Sequence, residues 1–201
     1  MKKEIILNVI GSFFLLMGIA AVLNAIYLKD YYGILWFCYA GLILIGISIL
    51  KRNSYLLTAQ LNILAIPLIL WTIDFIYTLF NGQSIFGVVD YFFIRGPLFA
   101  KIISLQHLFT IPLSFYALYL IKIKREDTWK LSFAEIVVVY IITVILTPEA
   151  NNINCVYGPC INFVPRFYTL FWFVSSFLMV FVTSFAINNI KFLRNRPKLV
   201  S

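Results

Sequence analysis

The stretch that decides the fold is Tyr55-Leu56-Leu57-Thr58-Ala59-Gln60-Leu61-Asn62-Ile63-Leu64-Ala65-Ile66-Pro67-Leu68-Ile69-Leu70-Trp71-Thr72-Ile73-Asp74-Phe75-Ile76-Tyr77-Thr78-Leu79-Phe80. It carries one charged side chain, Asp74, and no in-out alternation. A bilayer core about 30 Å thick takes about 20 helical residues, so this run is long enough to cross it. A barrel strand would show segments of about 10 residues alternating between lipid and lumen, which this run does not.

Five other stretches read the same way: residues 5–28, 33–50, 98–121, 131–147 and 167–190. The expected architecture is all-α, a single polytopic membrane helix bundle of six transmembrane helices. The whole chain agrees. It has 201 residues, is 62% hydrophobic and 12% charged, and has a mean hydropathy of +0.95. A soluble domain carries about twice that charged fraction, and a chain this short cannot hide so much apolar surface from water. Disorder is excluded too, because it requires few aromatics and much charge.

Met1-Lys2-Lys3 followed by an apolar run resembles a signal peptide, and Val22-Leu23-Asn24-Ala25 offers a small residue near a cleavage position. The run outlasts the usual signal core of about 7–15 residues, so an uncleaved anchor is the preferred reading. Between the third and fourth spans, residues 81–97 are rich in aromatics. They would lie along the interface or dip back as a re-entrant segment. The interfacial reading is the simpler.

Lysine and arginine set the expected orientation. With the N-terminus inside, the inner segments hold Lys2, Lys3, Lys51, Arg52, Lys122, Lys124, Arg125, Lys130, Lys191, Arg194, Arg196 and Lys198. The outer ones hold Lys29, Arg95, Lys101 and Arg166. Twelve against four places both termini in the cytoplasm by the positive-inside rule. The net charge of +8 is thereby explained by topology and by contact with anionic lipid. No nucleic-acid partner is expected, since that would need a clustered footprint on a folded domain. Membrane lipids are the expected partners, along with a homo-oligomer. Cys155 and Cys160 fall in an outer loop, where a disulfide is permitted. Their Cys-x4-Cys spacing matches neither the usual redox nor the usual zinc signature, so a staple is expected. Cys38 reads as a small packing residue.

Ionisable groups at membrane depth are functional candidates by default. Three occur: Asp74, His107 and Glu135. At 1.5 Å per residue, Asp74 lies about 9 Å from the outer end of its span, and His107 about 14 Å into the next. Consecutive antiparallel helices are usually neighbours, so an Asp74–His107 pair is geometrically available. On the fourth span Ser104, His107, Thr110, Ser114 and Ala117 form one small, polar stripe. On the third, Gln60, Pro67 and Asp74 are spaced by seven, with Trp71 and Thr78 extending the face. Pro67 and Pro112 would kink these helices and open room. On the sixth, Tyr168, Trp172, Ser175, Met179 and Thr183 share a stripe. Glu135, near Lys130 and on a face with Ser132, reads as an interfacial or paired carboxylate. Gly11, Gly18 and Ala25 on the first span, with Gly41 and Gly46 on the second, read as close-packing surfaces.

Two chemical readings follow. In the first, the chain is a small-solute or proton-linked carrier or binding protein. Asp74 and His107 form the site, and Trp71, Tyr168 and Trp172 wall it. In the second it is an intramembrane enzyme acting on a lipid-like molecule. His107 is then the general base, Ser104 or Thr110 the nucleophile and Asp74 the orienting group. A third reading is a non-catalytic assembly subunit. No metal or cofactor is expected. The chain has one histidine, and it lacks Walker A, His-Glu-x-x-His and Gly-x-Ser-x-Gly sequences. No Lys in the sixth span offers a retinal Schiff base. A single deep Asp argues against an aspartyl dyad, and no span carries an Arg ladder for voltage sensing.

Overall fold

The computed structural model describes residues 2–94, 96–161 and 165–194. Arg95, Arg196 and Lys198 of the orientation count lie outside the described residues. The described chain is helical: α1 (Lys2–Tyr27), α2 (Phe37–Leu50), α3 (Ser54–Asn81), α4 (Asp90–Phe93), α5 (Leu98–Ser104), α6 (Gln106–Ile121), α7 (Trp129–Leu146) and α8 (Tyr168–Asn189). There are no named strands among these residues. One isolated bridge joins Ile123 to Arg194. Five helices are long and apolar enough to cross a membrane, counting α5 and α6 as one; α2 is apolar but shorter.

α3 is the hub, packing against α2, α6, α7 and α8, while α1 packs most extensively on α2. The burial pattern is consistent with a multi-pass membrane protein. Val9, Leu16 and Leu23 of α1, and Leu170, Val174 and Leu178 of α8, point outward. Thr58, Asn62, Asp74, Thr110, Ser114 and Ser132 are almost wholly buried. Polar side chains find their partners between helices because lipid offers none.

The helix ends have local causes. α3 begins where the Asn53 side chain accepts the Leu56 N–H at 3.1 Å, and it ends at Gly82, whose φ of 71° suits a left-handed cap. The second apolar stretch is not one helix from Gly33. A 3-10 turn at Tyr32–Leu35 gives way to an extended Trp36, and α2 starts only at Phe37. Its 14 residues span about 21 Å. The reason lies 117 residues away, where Asn154 Oδ1 accepts the Phe37 N–H at 2.8 Å and Asn154 Nδ2 donates to Leu35 O at 2.9 Å. Asn154 is thus a remote cap for α2.

The glycines pack as expected on α1 and α2, with one reassignment. A Cβ at Gly46 would sit 2.6 Å from the Leu15 backbone nitrogen, and one at Gly18 would sit 3.0 Å from that of Ile43. Gly41 instead faces Leu64 on α3. Both prolines are exposed, and α3 and α6 run through them. The break in the fourth span falls at Leu105, between α5 and α6.

Contacts between the turns show that the helices alternate in direction. At one end Arg52 pairs with Glu4 (2.7 Å), the Arg125 guanidinium lies over the Tyr55 ring (4.4 Å), Arg194 pairs with Glu126 (3.1 Å) and Lys122 Nζ donates to Phe192 O. The α1 start, the α2–α3 and α6–α7 turns and the end of α8 therefore meet at one basic end. Asp127 belongs to it, its carboxyl held below the usual aspartate range first by a hydrogen bond from Arg125. At the opposite end the segment before α2 meets the loop after α7.

Candidate functional site

Asp74 is fully buried, and its carboxylate is committed to the backbone. Oδ1 accepts the N–H groups of Ile85 (2.6 Å) and Phe86 (2.9 Å), and Oδ2 accepts that of Val88 (3.0 Å). Gly87, at φ 82°, supplies the left-handed turn that lets these amides converge. The segment after α3 therefore folds back along the helix to the level of Asp74. Tyr91 and Phe92 continue the return: Trp71 Nε1 donates to the Tyr91 hydroxyl at 3.0 Å, and Phe92 meets Trp71 edge-on.

His107 stands beside this cluster, but not with Asp74. Its ring lies 4.6 Å, centroid to centroid, from Trp71. Among the described residues no hydrogen bond or ion pair joins it to Asp74, and its Nδ1 is buried without a partner. The expected Asp–His pair is not formed, because three backbone amides already satisfy the carboxylate. The two candidate nucleophiles bond within their own turns. Ser104 Oγ donates to Ala100 O at 3.1 Å, and Thr110 Oγ1 bonds to Gln106, at its backbone O (2.8 Å) and its Oε1 (2.5 Å). Such bonding to the preceding turn is the ordinary helical habit of Ser and Thr.

Tyr168 and Trp172 belong to a different place. Trp172 Nε1 donates to Asn154 O at 3.0 Å, the Tyr168 hydroxyl donates to Cys155 O, and the Trp172 ring packs on Tyr140 of α7. The two side chains anchor the loop after α7 and do not wall a chamber with His107. That loop is closed by the Cys155–Cys160 disulfide, as its position led one to expect. Asn152 Oδ1 accepts Tyr157 N and Gly158 N inside it. Sequence reading passed over Asn154, which sits among Asn151, Asn152 and Ile153 as one more turn residue.

A more open cleft of about 350 Å³ lies at the basic end, lined by Glu126, Asp127, Trp129 and Asn188 among others. A lateral groove of about 250 Å³ runs between α2 and α7, with α3 at its back. Phe37, Ala40, Gly41 and Leu44 form one side, and Leu131, Ala134, Val138 and Val139 the other. Among the described residues its polar lining side chains are Gln60 and Glu135, joined by a 2.6 Å hydrogen bond from Gln60 Nε2 to Glu135 Oε2. Ala40, Gly41 and Ala134 give it small-residue walls. Glu135 has no cation: among the described residues the ion pairs are Arg52–Glu4, Arg125–Asp127, Lys130–Asp127 and Arg194–Glu126. Lys130, its expected neighbour, turns to Asp127 at 3.8 Å. Glu135 and Gln60 were both legible as polar residues at membrane depth. Their partnership was not, since Gln60 had been grouped with the Asp74 face.

Next to the groove, Asn62 Nδ2 donates to Thr128 Oγ1 (3.2 Å) and Ser132 Oγ (3.3 Å), tying α3 to the start of α7. Among the described residues no three His, Cys, Asp or Glu side chains converge as metal ligands would. No known family model matches this chain, and no curated protein or solved structure matches it either.

Proposed function

We propose that the chain is a six-span protein of the cell membrane with both termini cytoplasmic, acting as a binding protein or carrier for a small amphiphilic solute. The solute enters sideways from the bilayer into the groove between α2 and α7, and Glu135 links its binding to protons. One observation carries this reading: a carboxylate at membrane depth, bonded to a neutral amide and to no cation, at the back of an apolar groove. Such a charge is costly in lipid unless a proton or a bound cation neutralises it. The groove volume lies just under the ordinary small-molecule range of about 300–1,000 Å³. The orientation rests on the basic end and the positive-inside rule. The hydrolase reading is the weaker one, since Ser104 and Thr110 spend their hydroxyls on their own helix.

The test is to fill the groove. Ala134 is exposed on its wall, so Ala134→Phe occupies it without entering the core. The full chain in nanodiscs is exposed to an alkyl diazirine probe, and labelled residues are read by mass spectrometry. Labelling at Ala40, Leu44 or Val138 that disappears in Ala134→Phe supports the reading. Labelling spread evenly over α1 and α8 and indifferent to Ala134→Phe would refute it. Proton linkage is read separately, as a pH-dependent uptake in liposomes that Glu135→Gln abolishes.

A further inference from the structure

The atoms left unused in the groove specify the head group of its occupant. An ionised carboxylate only accepts hydrogen bonds, so the Gln60 amide must turn its nitrogen toward Glu135, as it does at 2.6 Å. Among the described residues no hydrogen bond reaches Glu135 Oε1 or Gln60 Oε1, and both are acceptors on the groove lining. Among the described residues lining the groove, Gln60 carries the one side-chain donor, and Lys130 is engaged by Asp127. An occupant that completes this site brings at least two N–H donors and one positive charge.

We infer that the groove takes a single-chain or similarly small amphiphile whose head is a protonated amine, its apolar part lying between Phe37, Leu44 and Val138. This rests on the reading of the groove as a binding site. A protonated primary amine has three donors, enough for both free acceptors, and it neutralises Glu135. An alcohol brings one donor and no charge. A quaternary ammonium brings charge without a donor, and a carboxylate head is repelled. The volume of about 250 Å³ suits one chain or a small ring system and excludes the bulk of a two-chain lipid.

The experiment uses the full chain in nanodiscs of zwitterionic lipid. Four photoreactive probes share one diazirine alkyl tail and differ only in the head: primary ammonium, trimethylammonium, alcohol and carboxylate. The ammonium probe should label Ala40, Leu44 or Val138 at least about tenfold more than the other three, a difference of about 1.4 kcal/mol. In Glu135→Gln, which keeps a polar side chain of the same size, that preference should fall to within about twofold while the alcohol probe still labels. Equal labelling of the groove by ammonium and alcohol, by ammonium and carboxylate, or by ammonium and trimethylammonium overturns the amine assignment. So does a preference that survives Glu135→Gln, which would be sorting by the membrane surface. Each of these outcomes leaves the groove standing as a binding site. Failure of all four probes to label it removes the site and the amine assignment together.

Discussion

The Asp74 carboxylate accepts the backbone N–H of Ile85 at 2.6 Å, which brings the chain after α3 back against the helix it has just left. Phe86 and Val88 join the same carboxylate, and Trp71 holds Tyr91 beyond them. A buried charge that looked like one half of a catalytic pair is the fastening point of a connection.

Removing that fastening should unlatch the segment. Hydrogen bonds to a charged group contribute about 1.5–3 kcal/mol each and are not additive, so Asp74→Ala should cost at least about 3 kcal/mol. Asp74→Asn keeps one acceptor oxygen and should cost roughly half as much. Amide exchange at Ile85, Phe86 and Val88 should accelerate in both. His107→Gln should leave those amides protected. A double-mutant cycle between Asp74→Asn and His107→Gln should show coupling below about 0.5 kcal/mol, and a larger value would restore the pair.

The α1–α2 contact should be intolerant at one glycine and forgiving at another. A methyl at Gly46 would lie 2.6 Å from Leu15 N and 2.9 Å from Gly11 O, both backbone atoms that cannot rotate away. Gly46→Ala should cost about 2–3 kcal/mol, the upper part of the overpacking range. At Gly41 the nearest atom is the Leu64 Cδ1 tip at 2.4 Å, which can turn. Gly41→Ala should therefore cost about 1 kcal/mol. Thermal unfolding of the two variants in one detergent compares them, and equal losses would contradict the account.

Asn154 should matter more than the disulfide beside it. Its side chain bonds Phe37 N, Leu35 O and Thr143 Oγ1, joining the start of α2 to α7. Asn154→Ala should cost about 2–4 kcal/mol through groups left buried and unpaired. It should also deprotect the Phe37 amide. Replacing Cys155 and Cys160 by Ser opens a loop with a sequence separation of 5. For so short a loop, chain entropy assigns about 2 kcal/mol, with the Phe37 amide still protected.

At the basic end, Asp127 gives a pH signature. Its folded value is depressed, first by the hydrogen bond from Arg125. The stabilisation is therefore complete above the ordinary aspartate value, about 3.9, and lost as pH falls through the folded value. Arg125→Gln should lower the melting temperature slightly at neutral pH, as expected of an exposed pair. The two melting curves should converge in acid. A gap that persists or widens there would assign the effect of Arg125 to its packing on Tyr55 instead.

Span length and composition alone determine the solvent of this protein, its helical class and, within about three residues, the limits of α1, α3, α7 and α8. The reason is that a lipid-facing helix must satisfy its backbone internally and show apolar side chains over a fixed length, and both requirements are written residue by residue. The stripe His107, Thr110, Ser114 and Ala117 was equally legible, because helical periodicity assigns a face without needing a partner, while Ser104 falls on α5 beyond the break at Leu105. What fills each acceptor is a different kind of fact. Whether Asp74 meets His107 or the amides of residues 85–88, where α2 starts, and that Gln60 finds Glu135 across two helices all depend on which groups arrive within 3 Å when the bundle closes. Hydrogen bonds reach only that far, and residues 75 or 117 positions apart are brought to that range by tertiary packing alone.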